Sequence, residues 1–340
     1  MAKIHFLNVD EGDCSIIQHD NGNVTMIDIC CGNIEAESEL MRTFSCESVV
    51  DSIKGNFNQK AHPVNPVDYL NKKGISSIFR YIQTHPDMDH MDGLLNLRNS
   101  VDILNFWDTE NIKEQSFGEN GKSGRYLEVD WDCYQYLRKS KDNPKALFYY
   151  DGASNKYYAE DDNGKLKDDY LKVLSPTKEL IKQANEAGDW NDSSYVILYV
   201  VQGWKILFCG DSDMNTINHL LQNHKEDITN IDVLIAPHHG RDSDKDFSFL
   251  DVMNPKLTLV GNAKCQHLAY DQWNNRKLEH IQNNQGGNIL LDIRNREMHV
   301  SCSHKTFADV YNKHYFNESN APKDIYNNGY WCLCYYKAKQ

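Results

Sequence analysis

The chain has 340 residues, enough for one large domain or two ordinary ones, and its 40% hydrophobic and 11% aromatic content is that of a globular protein with a buried core. A formal charge of −13 excludes a broad basic surface for holding long nucleic acid, while a nucleotide substrate stays compatible wherever bound cations supply positive charge locally. No run approaches the roughly 18 apolar residues of a membrane span, and Asp10, Glu11 and Asp13 come too early for a signal peptide, so a cytoplasmic protein without membrane association is expected.

In chain order, residues 3–9 read as a strand that ends in the acidic turn Asp10-Glu11-Gly12-Asp13, and strands over 14–18 and 24–29 flank the Asn21-Gly22 hairpin signal. Residues 33–62 show weak helical patterning and read as a peripheral insertion. Pro66 opens a helix with Val67, Leu70 and Ile75 spaced for one face, and Gly74 stops it. A strand over 78–83 delivers His85 to a loop at its C-terminal end, where α/β proteins place chemistry. Residues 101–107 form another strand. From 111 to 169 the sequence turns polar and loses apolar period; it reads as an insertion decorating the domain, a lid or a partly disordered segment, with a protein partner as one use for it.

Ordered patterning returns with a strand at 170–174, a helix to about Ala187, and a hairpin of strands 194–201 and 205–209 that ends just before Asp211. A helix ends near Lys225, a strand over 231–236 runs into Pro237-His238-His239-Gly240, a further strand covers 257–260, and 288–292 with 298–302 make a late hairpin. The aromatic-rich stretch 313–340 stays unassigned, and nothing divides the chain into two domains. The ten cysteines include no C-x-x-C pair. Cys332 and Cys334 would share one side of a strand and read as buried reduced thiols, the alternative being a structural zinc site or redox pair.

His85-x-Asp87-x-Asp89-His90 packs four metal-type ligands into six residues after a strand. Alternating imidazole and carboxylate can converge on one side of an extended segment, while the adjacent Asp89-His90 pair reaches a second point. Asn191-Asp192, Gly210-Asp211 and His238-His239-Gly240 also sit at strand ends, each weak alone, since an Asp there is commonly a turn or helix cap. With these residues the sequence resembles the metallo-β-lactamase superfamily, in its ComEC-like branch related to DNA uptake. Phe6 to Asp13 looks like that branch's opening strand and turn, Met26-Ile27-Asp28 like its aspartate strand, and Gln83 to Gly93 like the metal motif; segments 191–198, 207–211 and 235–240 follow in the expected order.

The resemblance implies an α/β fold, a four-layer αββα sandwich with a central insertion, holding two adjacent divalent metal ions. His85 and Asp87 would serve the first, Asp89 and His90 the second, Asp211 would bridge, and His239, preferred to His238, would complete the second. Asp28 would orient the metal loop. Asp87 and Asn191-Asp192 stand where histidines are commoner, which makes the first site richer in oxygen and moves the metal preference from zinc towards manganese or magnesium. Asp192 could then help hold the first ion. The implied function is hydrolysis by a metal-activated water, as a phosphodiesterase or nuclease on nucleic-acid strands or small nucleotides. Catalysis is expected to depend on Asp89 more than on Asp87, and His267 holds a phosphate oxygen or protonates the leaving group, unless it is an ordinary loop histidine. A lactone or amide hydrolase, or a metal-bearing subunit with little turnover, is the alternative.

Overall fold

The computed structural model describes residues 1–35, 52–243, 245–264, 267–316 and 329–338. The expected insertion at 33–62 lies outside them over 36–51, and the aromatic-rich tail over 317–328 and 339–340.

Three antiparallel strands, β1 (Ala2–Phe6), β2 (Ser15–Gln18) and β3 (Val24–Ile27), begin a sheet that continues in parallel through β4 (Arg80–Ile82), β5 (Asn105–Trp107) and β6 (Lys145–Leu147). The second sheet starts with β7 (Asp169–Ser175), β8 (Val196–Val201) and β9 (Trp204–Phe208), paired antiparallel. It then adds β10 (Val233–Ile235), β11 (Leu257–Val260) and β12 (His280–Gln282) in parallel. β13 (Ile289–Arg294), β14 (Glu297–Cys302) and β15 (Trp331–Lys337) return to the first sheet, β13 pairing with β1.

Side-chain alternation explains why both sheets read as near-continuous apolar runs. In β8, Ile197, Tyr199 and Val201 enter the core between the sheets, while Val196 and Leu198 enter a second core on the far side. In β3, Ile27 faces the first and Met26 the second. Sheets covered on both faces have no polar side to show.

The outer layers are helical. Helices α1 (Pro66–Lys72) and α2 (Leu94–Ser100) cover the first sheet with Val67, Leu70, Leu94 and Leu97. The chain signals behave as expected: Asn65 Oδ1 accepts from Val67 N at 2.9 Å to cap α1, with Pro66 at its first position. The second sheet is covered by α5 (Met214–Asn223), α6 (Phe249–Met253) and α7 (Tyr270–Arg276) through Ile217, Leu220, Phe249, Met253 and Trp273. The architecture is therefore the four-layer αββα sandwich.

One expectation needs correction. Residues 111–169 are not mere decoration: α3 (Glu128–Leu137) buries Trp131, Tyr134 and Leu137 against the first sheet, and β6 extends that sheet. Polar residues dominate the segment because only one face of α3 is covered, and that hid its core content. The C-terminal stretch is likewise integral. Helix α8 (Lys305–Tyr315) inserts Phe307 and Tyr311 between the sheets, and β15 pairs with β14 through a bulge between the Val300 and Ser301 registers. That bulge breaks the alternation expected of Cys332 and Cys334. All eight described cysteines are free and buried. A remaining helix, α4 (Lys178–Ala187), is capped by the Thr177 hydroxyl, which accepts from Leu180 N at 3.0 Å. No helix among the described residues is long and apolar enough to cross a membrane.

Candidate metal centre

The parallel strands of both sheets end at one rim of the sandwich. Asp28 leaves β3 and the 84–90 loop leaves β4, from the first sheet; Asp211 leaves β9 and His238-His239 leave β10, from the second. Each sheet thus supplies half of one cluster, at the place where strand ends leave backbone groups open to a ligand.

Asp211 is its centre. Its Oδ1 lies 3.3 Å from His90 Nε2 and 3.3 Å from His239 Nε2. Its Oδ2 lies 4.0 Å from His85 Nε2 and 3.6 Å from His238 Nε2. One carboxylate therefore faces two pairs of imidazoles, one pair per oxygen. Asp89, His90, Asp211 and His239 each bring a ligand atom within 4.8 Å of the others. His85 Nε2 also lies 4.0 Å from Asp87 Oδ2. His238 and His239 are thus not competitors for one place, as the sequence led us to treat them: consecutive left-handed backbone angles, φ 52° and 55°, turn them to different oxygens. Two such residues in a row cost backbone strain, of order 1–3 kcal/mol each, a cost found where a site over-determines the chain.

The ring nitrogens facing Asp211 are held from behind. Asp28 is fully buried at φ 56°, in the left-handed region; its Oδ1 accepts from Thr84 N at 2.7 Å and its Oδ2 from Thr84 Oγ1 at 2.6 Å. His90 Nδ1 lies 2.8 Å from the same Oδ2, and His85 Nδ1 lies 3.1 Å from Thr84 Oγ1. Because Thr84 gives its hydroxyl proton to Asp28, it accepts from His85. Both histidines then carry their protons on Nδ1 and present Nε2 lone pairs to Asp211. Asp13 Oδ1 stands 3.2 Å behind His239 Nδ1. Gly12 lets that turn approach, since its φ is 145° and a Cβ there would meet Asp89 O at 2.2 Å.

The charges are strongly perturbed. Burial opposes ionisation of Asp211, but His239, His90 and His238 hold its carboxyl well below the usual range. Burial works against protonation of His239 too, yet Asp211 and Asp13 raise it to about 10. His85 goes the other way, pushed down to about 3 by burial and by His90. The Nε2 atoms of His85, His90 and His239 and Oδ1 of Asp211 are buried with no hydrogen-bond partner. Buried ring nitrogens without hydrogen-bond partners, converging on a carboxylate, fit a cation that would take the place of the proton held by His239.

No protein-family model matches the chain, and no curated protein matches it in sequence. Among solved structures, it is similar to YhfI from Bacillus subtilis, a metallo-β-lactamase fold protein, at 10% identity over 83% of this chain and 96% of that one, with a TM-score of 0.44. Tm1679, a metal-dependent hydrolase of the β-lactamase superfamily, is similar at 12% identity over 87% of this chain and 100% of its own, TM-score 0.48. A diphosphatase of the PhnP family is similar at 11% identity over 86% of this chain and 98% of its own, TM-score 0.41. These are likenesses of fold.

Asp192 is engaged as a helix cap, and His267 is an exposed residue. Asp192 Oδ1 accepts from Asp213 N at 3.1 Å and Thr216 N at 3.0 Å, so this carboxylate caps the start of α5 and does not face Asp211. The imidazole of His267 is exposed, while its backbone carbonyl accepts from Asp242 N at 2.7 Å, tying its loop to the His238-His239 loop. The sequence reading missed Asp13, although it quoted the turn that carries it, and missed Lys113, whose Nζ lies 2.6 Å from Asp87 Oδ1. No local pattern announces a lysine that reaches the site from 26 residues downstream.

Proposed function

We infer that this chain is a metal-dependent hydrolase acting on phosphodiesters of a nucleotide or a nucleic-acid end, as the ComEC-like motifs suggest. The observation that carries the reading is Asp211, whose two oxygens each face a separate histidine pair. His90, His239, Asp89 and Asp211 would hold one cation; His85, His238, Asp87 and Asp211 would hold a second. With Asp192 withdrawn and His238 added, each set has two nitrogens and two oxygens, which suits zinc or manganese better than magnesium. Cations bound there act as Lewis acids on a phosphoryl oxygen and lower the pKa of water towards neutrality.

The chain's own residues do the rest. Asp28 and Thr84 keep the Nε2 lone pairs of His85 and His90 directed inward. Asp13 Oδ1 lies 3.2 Å from His239 Nδ1, on the far side of that ring from Asp211. Basic side chains ring the site in a chain of net charge −13: Lys113 at Asp87, Arg125 at Asp10, Lys60 and Arg241 at Glu11, Lys245 at Asp213. Each is paired with a carboxylate, so the net positive charge that an anionic substrate needs would come from the bound cations. His267, at the loop tied to Asp242, is the candidate to meet a leaving group, and part of 111–169 borders the entrance through Lys113 and Arg125.

The test is a panel of single-stranded nucleic acids, cyclic nucleotides, a generic aryl phosphodiester and lactones, run with zinc- and manganese-loaded protein. Cleavage of a diester that Asp211→Ala abolishes is the expected result. Lactone turnover without diester turnover would replace the substrate class, and no turnover of any kind would leave a metal-bearing interaction subunit.

A further inference from the structure

Away from Asp211, three side chains from three elements converge at a second point. Asp151 stands in the turn after β6, His219 on α5, and His224 just beyond the end of α5. Asp151 Oδ2 lies 3.1 Å from His219 Nε2, and its Oδ1 lies 2.8 Å from His224 Nε2. The two rings are 5.5 Å apart at 66°, and one ligand atom from each residue lies within 4.8 Å of the others.

What stands behind these atoms distinguishes the group from an ordinary ion pair. His224 Nδ1 lies 3.1 Å from Asp227 Oδ2, and Lys172 Nζ grips both oxygens of Asp227 at 2.7 and 2.8 Å. A carboxylate fixed in this way accepts a hydrogen bond from Nδ1–H and aims Nε2 at Asp151, the backing that metal-ligating histidines receive. Consistent with this, His224 Nε2 is buried and makes no aligned hydrogen bond despite its closeness to Asp151. His219 Nδ1 meets Asn223 Nδ2 at 3.1 Å, and the same Nδ2 donates to His219 O at 3.0 Å, so the backing of this ring is weaker than that of His224.

We propose that Asp151, His219 and His224 form a structural site for a zinc-class divalent metal that pins the 111–169 segment to α5. Two imidazole nitrogens and a carboxylate are the borderline donors zinc prefers, and the side chains keep 11–22% exposure, leaving an open side for a water as fourth ligand. Such a bridge links residues 68 apart in sequence, and it acts on a turn already held by Asp151 N on Pro176 O at 2.8 Å. It adds to the stability that the buried face of α3 gives the segment. The site does not depend on the hydrolase reading.

The test uses the full chain: wild type, Asp211→Ala, His219→Gln/His224→Gln, and all three changes together. Each is loaded with zinc, freed of excess, and analysed for metal. The histidine double variant should hold about one zinc per chain fewer than wild type, and zinc should raise the melting temperature of Asp211→Ala but not of the triple variant. Circular dichroism establishes folding. If the double variant does not fold, cobalt titration decides: an intense tetrahedral absorption that survives in Asp211→Ala supports the site. Equal zinc in wild type and folded double variant, or no cobalt band in Asp211→Ala, overturns it. A clamp held by protons alone gives that second pattern, with a melting temperature that follows pH and ignores zinc.

Discussion

Replacing Asp28 by Asn tests the cluster at the point where one atom controls two ligands. The change keeps size and tolerates the left-handed φ of 56°, which Asn adopts readily, so backbone strain is not added. It converts one carboxylate oxygen into a donor. If the amide oxygen stays on Thr84 N, the new NH2 faces Thr84 Oγ1 and His90 Nδ1, the two groups that now give protons to Oδ2. Thr84 must then donate to His85, and His90 must accept, so both rings move their protons to Nε2 and point N–H groups at Asp211. If the amide turns over, Thr84 N loses its buried acceptor, at about 1–3 kcal/mol. Loss of an outer partner of this kind lowers metal affinity about 10- to 100-fold, or roughly 1.4–2.7 kcal/mol. Isothermal titration with zinc or manganese, against a chelator of known affinity, measures the first outcome, and denaturant unfolding of the metal-free protein measures the second. Wild-type affinity for both ions together with wild-type unfolding would show that Asp28 does not set the tautomers.

Asp89→Ala should reduce turnover of the best diester by about 100-fold or more and more than Asp87→Ala does, because Asp89 belongs to the tight group while Asp87 is shared with Lys113; equal losses would reverse the assignment of the centres. Metal at about 100 times its dissociation constant should stabilise the fold by about 2.7 kcal/mol, or about 4 °C for a chain this long, as read by scanning fluorimetry with and without chelator. His5 is held neutral at a pKa of about 4 by burial, with Tyr69 Oη 2.7 Å from Nδ1 and Gln18 Oε1 3.0 Å from Nε2. The unfolded chain binds this proton near pH 6.5 and the folded chain only near 4, so stability falls as pH drops through that window, by roughly 3 kcal/mol; His5→Gln should flatten the acid limb of a melting-temperature profile, and an unchanged limb counts against it. Tyr134→Ala should cost about 3–5 kcal/mol in urea unfolding, since the ring is fully buried and its hydroxyl joins Asp108 and Asn111; a loss under 1 kcal/mol would return residues 111–169 to the status of decoration.

What could be read from the sequence tracks the distance over which the physics acts. Strands β8 and β9 and the helix starts at Pro66 and Thr177 depend on neighbours within a few residues, and their patterns were plain. The 85–90 motif was legible for the same reason. Helix α3 was not, because its polar outer face outweighs the buried Trp131, Tyr134 and Leu137 in any composition count. Asp192 was misplaced because a carboxylate after a turn looks the same whether it caps a helix or meets a cation; the contacts from Asp213 N at 3.1 Å and Thr216 N at 3.0 Å separate the two. The choice between His238 and His239 had no sequence answer, since it turns on two left-handed backbone angles.

The division of labour within the cluster follows from the sandwich itself. Every donor from the first sheet lies on the 84–90 loop, and every donor from the second lies on the loops after β9 and β10. Neither set closes alone: His90 and Asp89 lack a second histidine without His239, and His85 lacks the carboxylate Asp211. Asp28 and Thr84 order the first half from beneath, Gly12 packs on Asp89 of that half, Asp13 stands behind His239 of the second, and Asp211 contacts both. A cation placed between them therefore binds the two sheets to each other as well as to itself. Ile27 and Ile82 of the first sheet and Phe208 and Ile235 of the second share the core between the sheets, so repacking there would shift one sheet against the other and tune the site. Their alternation in β3, β4, β9 and β10 fixes the registry of the rim, and the rim fixes where Asp211 meets its four histidines.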